Sequence, residues 1–373
     1  MKKWKSARDF YNKTGQVDIA YDGIFFKQLA AEFCHTLNLS APDWIFLDDE
    51  SYGTGWDTWR VHVVLSNNAQ RRRLPGETQE QLAARMVEEV FATWTHCIPE
   101  ALVNTTNIGW YGTPFPDILL SRHGVSMQPS TYGPIHYLHS YPEWLASFRN
   151  RQEDHVISAE GALKPRQLIP WLTACTYGQM DAKATLDGAL HSFGRGATGF
   201  AFFITSCFDD PGKMLALSTA IAYAVPFEDW LVNADLVRNT NVLLQHPGTF
   251  QNVLSWSGMR SADGKIHWMV ITPADPSLPS VFQLGVEEVG THWVCDLTTG
   301  ESTTVDTTSK TLNLDIHREF DLTLTHPNHR EWHQSRQHYS SSYVLLISMS
   351  EGVAGSKACK EVALPSNTWL PVW

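Results

Sequence analysis

The sequence predicts an α/β chain: a (β/α) barrel lacking its first strands over residues 1–235, then an all-β antiparallel sandwich over 236–373. Three observations carry this expectation. Up to residue 235, short apolar runs alternate with stretches of helical period, the pattern of a parallel sheet wrapped by helices. Those runs end in polar, aromatic and Gly residues, as strands do at the C-terminal rim of a barrel. Beyond residue 235 only short alternating runs and turns remain, which is antiparallel β patterning.

Taken in order, residues 17–21 read as a short strand that ends at Asp22 and Gly23. Over 24–37, Phe25, Phe26, Leu29, Ala30, Phe33 and Leu37 recur at helical spacing. The run 43–50 is the next strand, and the polar loop 51–76, carrying Trp56 and Trp59, closes on Pro75 and Gly76. A helix follows over 77–97, with Thr78 as its cap and Leu82, Met86, Val90 and Trp94 at every fourth position. Strands are expected at 108–112 and 125–129, then a helix carrying Trp144, Leu145 and Phe148. Strand 168–173, a helix over 181–193, strand 199–204 and a helix over 214–224 complete the first domain. That makes six strands where a barrel has eight. The missing pair would precede residue 17, so the expectation is a chain cut from a longer parent.

In the second domain, alternation places strands at 241–244, 252–256, 266–271, 281–286, 293–296, 311–314, 320–324 and 343–348. Turns separate them at Asp263–Gly264 and at Thr299–Gly300, and the segment after Ser350 carries no clear signal.

Composition limits the partners. A hydrophobic share of 43% and a charged share of 18% describe a folded globular chain. A net charge of -11, with Arg71 to Arg73 as the one basic run, excludes the concentrated positive surface that nucleic acid needs. No apolar run is long enough to span a membrane, and no apolar stretch of signal-peptide type follows the basic start. A start inside a longer parent leaves a secreted or lysosomal setting open. The 15 Trp exceed what a core requires, and indole faces suit sugar rings. Cys34, Cys97, Cys175 and Cys207 sit in apolar surroundings, which favours buried thiols over a disulfide framework. Oligomeric state is not legible.

The chemistry concentrates at the end of strand 43–50, where Asp48, Asp49 and Glu50 stand consecutively. Alternation puts Phe46, Asp48 and Glu50 on one side and Leu47 and Asp49 on the other. Two neighbouring carboxyls cannot both ionise easily, so one is held protonated and becomes a usable general acid. Cleaving an acetal needs that proton on the leaving oxygen and a carboxylate beside the oxocarbenium-like centre. Glu50 is therefore the expected acid/base, with Asp48 or Asp49 as nucleophile or stabiliser; alternation favours Asp48. At other strand ends Trp110, Tyr111, Gln128, Tyr132, Tyr177 and Asp209 are the expected sugar-binding residues. No metal or other cofactor is called for, and the expected partner is a carbohydrate. Two other readings fit the same residues: a carbohydrate-binding protein with a degraded site, or a barrel enzyme holding a divalent cation on Asp48, Asp49, Glu50 and Asp209. His326, His329, His333 and His338 read as a polar loop. No Gly-x-Ser-x-Gly nucleophile elbow is present, and Gly194 to Gly199 precedes a strand, the wrong context for a phosphate loop.

Strand-end acids, an aromatic rim and a trailing sandwich together resemble the TIM-barrel glycoside hydrolases. The local pattern resembles the Asp-x-x-Asp-x-Asp-x-Glu signature of the chitinase-like enzymes of family 18. Asp43, Asp48 and Glu50 fill three of its four acidic places, with Phe46 at the other. The resemblance implies that Glu50 donates the proton and Asp48 orients the substrate. The Met-x-Tyr-Asp of that family is not matched at Met127 to Tyr132.

Overall fold

The computed structural model describes residues 34, 44–48, 73–79, 81, 82, 85, 88, 102–106, 126–128, 169–173, 182–203, 211–238, 242–245, 254–273, 280–316 and 342–363. The chain divides into two compact units, one of residues 1–131 with 153–171 and one of residues 132–152 with 172–373.

In the first unit, β1 (Trp44–Asp48), β2 (Leu102–Thr106) and β3 (Ser126–Gln128) form a parallel sheet in that order. Strands β1 and β3 lie where alternation puts them. Strand β2 precedes the expected 108–112, which falls outside the described residues. Leu102, Val103, Thr105 and Thr106 suit a pleated strand. Thr78 caps the helix that lies between β1 and β2 in the chain. Its hydroxyl accepts from the Gln81 N–H at 3.1 Å, and the Gln81 side chain accepts from the Thr78 N–H at 2.8 Å. This reciprocal capping box contributes about 1 kcal/mol. Before it, Glu77 accepts from Arg85 at 2.8 and 3.0 Å and from the Leu74 N–H at 2.9 Å. The hydrogen bonds from Arg85, then that from Leu74, hold the Glu77 carboxyl down to about 2.

Strands β4 (Trp171–Thr173) and β5 (Ala201–Phe203) pair with each other. Among the described residues the sheet of three and this pair do not close into a barrel. Between them in the chain lies α1 (Ala182–Phe193). It ends in a Schellman turn, with Ala197 N–H on the Ser192 carbonyl and Gly196 N–H on that of Phe193, both at 2.9 Å. Gly196 takes the left-handed position of that turn, at φ +86°. Helix α2 (Pro211–Ala224) begins on proline, whose missing N–H costs nothing at a first turn. It buries Ala216, Ala220 and Ala224 along one face, at the i, i+4 spacing of a helix stripe. A 3-10 turn (Val225–Phe227) and the short α3 (Glu228–Leu231) lead into the β region.

That region holds two antiparallel sheets, which agrees with the patterning beyond residue 235. One comprises β7 (Val242–Gln245), β10 (Ser280–Gly285) and β13 (Thr311–Ile316), ordered β13-β10-β7. The other comprises β6 (Asp235–Leu236), β8 (Leu254–Arg260), β9 (Ile266–Pro273), β11 (Gly290–Asp296), β12 (Glu301–Thr307) and β14 (Tyr343–Ser348). Its order is β12-β11-β14-β9-β8-β6. Residues 320–324 and the four His at 326–338 lie outside the described residues.

The six-stranded sheet is covered on both faces, and alternation sorts its side chains between them. Met269 and Ile271 of β9 with Tyr343, Leu345 and Ile347 of β14 join Phe282, Leu284, Leu312 and Leu314 of the smaller sheet in one core. Trp268 and Val270 of β9 with Val344 and Leu346 of β14 join Ala189, Leu190 and Ala220 of α1 and α2 in a second. Strands buried on both faces read as continuous apolar runs, as β9 and β14 do. Residues 351–362, without signal in the sequence, form α4 (Glu351–Ala354) and α5 (Ser356–Val362), which contribute Ala354 and Cys359 to that second core.

A disulfide between Cys295 and Cys359, 64 residues apart, ties α5 to β11. Cys34 is disulfide-bonded as well, which corrects the expectation of a buried thiol there. Pairing requires Cα atoms within bonding reach, here 5.5 Å for Cys295 and Cys359, and chain spacing alone does not reveal that proximity. Among the described residues no helix is long and apolar enough to cross a membrane.

Candidate functional site

The parallel sheet places its strand ends in one row. In register, Asp48 pairs with Thr106 and Thr106 with Gln128, each the last residue of its strand. One step inward by the two-residue period, Phe46, Asn104 and Ser126 form the next row on the same face. This face therefore carries Trp44, Phe46 and Leu102 as well as Asp48, Asn104, Thr106, Ser126 and Gln128. The other carries Ile45, Leu47, Val103, Thr105 and Met127. Parallel sheets are ordinarily covered on both sides and apolar on both. Here all the polar residues but Thr105 lie on one face, gathered toward the strand ends where a (β/α) sheet binds ligands.

Of the residues expected from sequence, Asp48 and Gln128 stand in this row. Asp49, Glu50, Trp110, Tyr111, Tyr132, Tyr177 and Asp209 lie outside the described residues. Asn104, Thr106 and Ser126 were not expected. Their signal was the alternation of Asn104 and Thr106 with Val103 and Thr105, legible only once the strand is placed at 102–106.

A second group of chemistry-bearing residues joins α1 to the strands beneath it, buried apart from the partly exposed Lys183. His191 Nδ1 is 2.8 Å from Ser257 Oγ, and its Nε2 is 2.9 Å from Thr272 Oγ1. Thr272 Oγ1 is 2.5 Å from Ser342 Oγ, Ser342 donates to Asp187 at 2.5 Å, and Asp187 pairs with Lys183 at 2.6 Å. The carboxylate fixes every proton in this chain. Ser342 gives its one hydrogen to Asp187, so it accepts from Thr272, and Thr272 in turn accepts from His191 Nε2–H. A neutral imidazole then has a bare Nδ1, which accepts from Ser257. The set contains Ser, His and Asp, yet it is no nucleophilic triad. His191 is 0% exposed and Ser257 0%, so no substrate reaches either. Gly194 lets α1 come this close, because a Cβ there would stand 2.7 Å from that of Ser257.

On the six-stranded sheet, His267 is buried next to Arg260 and His292. Burial first, then the charges of Arg260 and His292, push His267 down to about 4 from the ordinary 6.5. The folded state therefore resists a proton that the unfolded chain accepts between those values. Stability is full above pH 6.5 and falls as the pH drops toward 4, by about 3 kcal/mol at 1.36 kcal/mol per unit. Urea midpoints at pH 7 and pH 4.5 should show this loss in the unmutated chain and a shallower one in His267→Gln. Equal slopes in the two proteins would count against it. Arg195, 0% exposed, lies 5.0 Å from the Trp256 ring and donates to the Trp256 carbonyl at 3.2 Å, a packing role. Among the described residues no three His, Cys, Asp or Glu side chains come together as metal ligands would.

No protein-family model matches the sequence, and no curated protein does. Several solved structures are similar to it. An Anoxybacillus alpha-amylase is 10% identical, with 88% of this chain and 63% of that one covered and a TM-score of 0.46. CelM2, a bifunctional glucanase-xylanase from a metagenome library, is 12% identical over 89% and 69%, with a TM-score of 0.39. A Paenibacillus polymyxa xyloglucanase of glycoside hydrolase family 44 is 11% identical over 82% and 66%, with a TM-score of 0.36. The chain thus spans under two thirds of the amylase's length. Likeness at this level assigns neither activity nor substrate to it.

Proposed function

We propose that this chain is a glycoside hydrolase that cleaves O-glycosidic bonds of an oligo- or polysaccharide by carboxylate acid/base catalysis. One observation carries the reading: Asp48, Thr106 and Gln128 end three paired parallel strands in one row. In this reading Glu50, two residues beyond Asp48, protonates the leaving oxygen. Asp48 steadies the positive charge that develops at the anomeric carbon, or attacks it. Gln128, at the far end of the row, binds a sugar hydroxyl. Trp110, Tyr111, Tyr132, Tyr177 and Asp209 are the further sugar-binding residues of this reading, the aromatic ones offering their faces to sugar rings. Residues 1–235 are the catalytic domain and 236–373 an accessory one. The alternating charge demand of acetal cleavage explains why consecutive carboxylates end an otherwise apolar strand, where repulsion alone would disfavour them.

The test is turnover. The full chain, incubated with a panel of oligo- and polysaccharides, should release reducing ends from at least one of them. Sugar binding without any release across the panel would make it a binding protein and end the enzyme reading.

A further inference from the structure

The neutral polar residues that share a face with Asp48 are not explained by acid/base chemistry alone. We infer that Asn104, Thr106 and Ser126 form a hydroxyl-recognising tier beside Asp48 and Gln128, and that this tier selects an uncharged glycan. The inference rests on the glycoside hydrolase reading and names the substrate class for the same strand ends.

Two placements support it. First, the register puts Asn104 and Ser126 side by side one row below Thr106 and Gln128, on the face that ends at Asp48. Four neutral groups that both donate and accept, two amides and two hydroxyls, are thereby brought to one patch of backbone. Sugar hydroxyls also donate and accept, and they pair with such groups without any charge being buried. Second, β1, β2 and β3 contain one carboxylate and no Lys, Arg or His. A uronate or sulfated sugar brought to this face would meet Asp48 with no cation in these strands to offset the repulsion. The chain's net charge of -11 adds to that repulsion at long range. A site built to pair hydroxyls rejects ligands that leave its polar groups unpaired, so the same tier gives selectivity as well as affinity.

The experiment measures reducing-end release by the full chain from amylose, β-glucan and arabinoxylan as neutral polymers, and from polygalacturonate and hyaluronate as charged ones. The expected result is turnover confined to the neutral group. Thr106→Val and Asn104→Leu should each raise KM roughly 10- to 100-fold on the best substrate, with a smaller change in kcat, and Thr106→Ser should restore it. A melting curve checks that each variant folds; if either does not, the same KM rise is required of Ser126→Ala. Preference for a charged polymer overturns the inference. So does an unchanged KM in folded Thr106→Val and Ser126→Ala while Glu50→Gln is inactive, an outcome that leaves the hydrolase reading standing. Release from none of the five polymers overturns both.

Discussion

Glu50→Gln should lower turnover by roughly a hundred- to ten-thousandfold, the range that a positioned general acid contributes. Glutamine keeps the size and the hydrogen-bonding shape of the side chain but has no proton to give. The loss should therefore depend on the leaving group. A 2,4-dinitrophenyl group departs as a stable anion without protonation, so the variant should keep nearly the unmutated kcat/KM on such a glycoside. An alkyl or sugar leaving group needs the proton, and there the full loss should appear. Asp48→Asn should lose activity on both, because the charge at the anomeric carbon develops whatever the leaving group. The pH profile carries the same signature. A carboxyl kept protonated by a neighbouring carboxylate gives activity that falls as the pH rises through its elevated pKa. That descending limb should vanish in Glu50→Gln on the dinitrophenyl substrate. Equal losses on the two substrates, with the limb intact, would remove Glu50 from the role of acid.

Asp48 was legible in the sequence because three consecutive acids at the end of an apolar run contradict what a strand otherwise does. Its neighbours in the row were not. Neutral polar residues such as Asn104, Thr106 and Ser126 also populate loops, and a short strand holding two of them does not stand out. Only pairing reveals them, and pairing joins Asp48 to Thr106 across 57 intervening residues. The same contrast runs through the β region. Strands β9 and β14, apolar on both faces, could be placed from their composition. The edge strand β12, Glu301–Thr307, could not, because Val305 is its one apolar residue and all the others are polar. An edge strand needs one pairing partner and a polar outer surface, so its sequence resembles a loop.

Asp187→Ala should cost about 1.5–3 kcal/mol, the range for hydrogen bonds to a charged group, and lower the melting temperature by roughly 2–6 °C. Asp187 is 1% exposed and holds both Lys183 and the hydroxyl of Ser342, so its loss leaves a cation and a donor without their acceptor on that side. The damage should not stop there. The order of protons from Ser342 through Thr272 to His191 is set by the carboxylate, and without it either hydroxyl can donate in either direction. In the unmutated chain His191 should therefore show a single tautomer by nitrogen NMR, protonated at Nε2 and bare at Nδ1, and Asp187→Asn should give a mixture. The energetics should be coupled in the same way. Asp187→Asn combined with Ser342→Ala should cost less than the sum of the two by about 0.5–3 kcal/mol, as members of one network do. Thr78→Ala, whose cap shares no partner with this network, should add to either without coupling. A mixed tautomer in the unmutated chain, or strict additivity of Asp187→Asn with Ser342→Ala, would mean that the four side chains are merely adjacent. A helix held to a sheet by an ordered chain of this kind has one seating on it, whereas apolar packing alone tolerates several of similar energy.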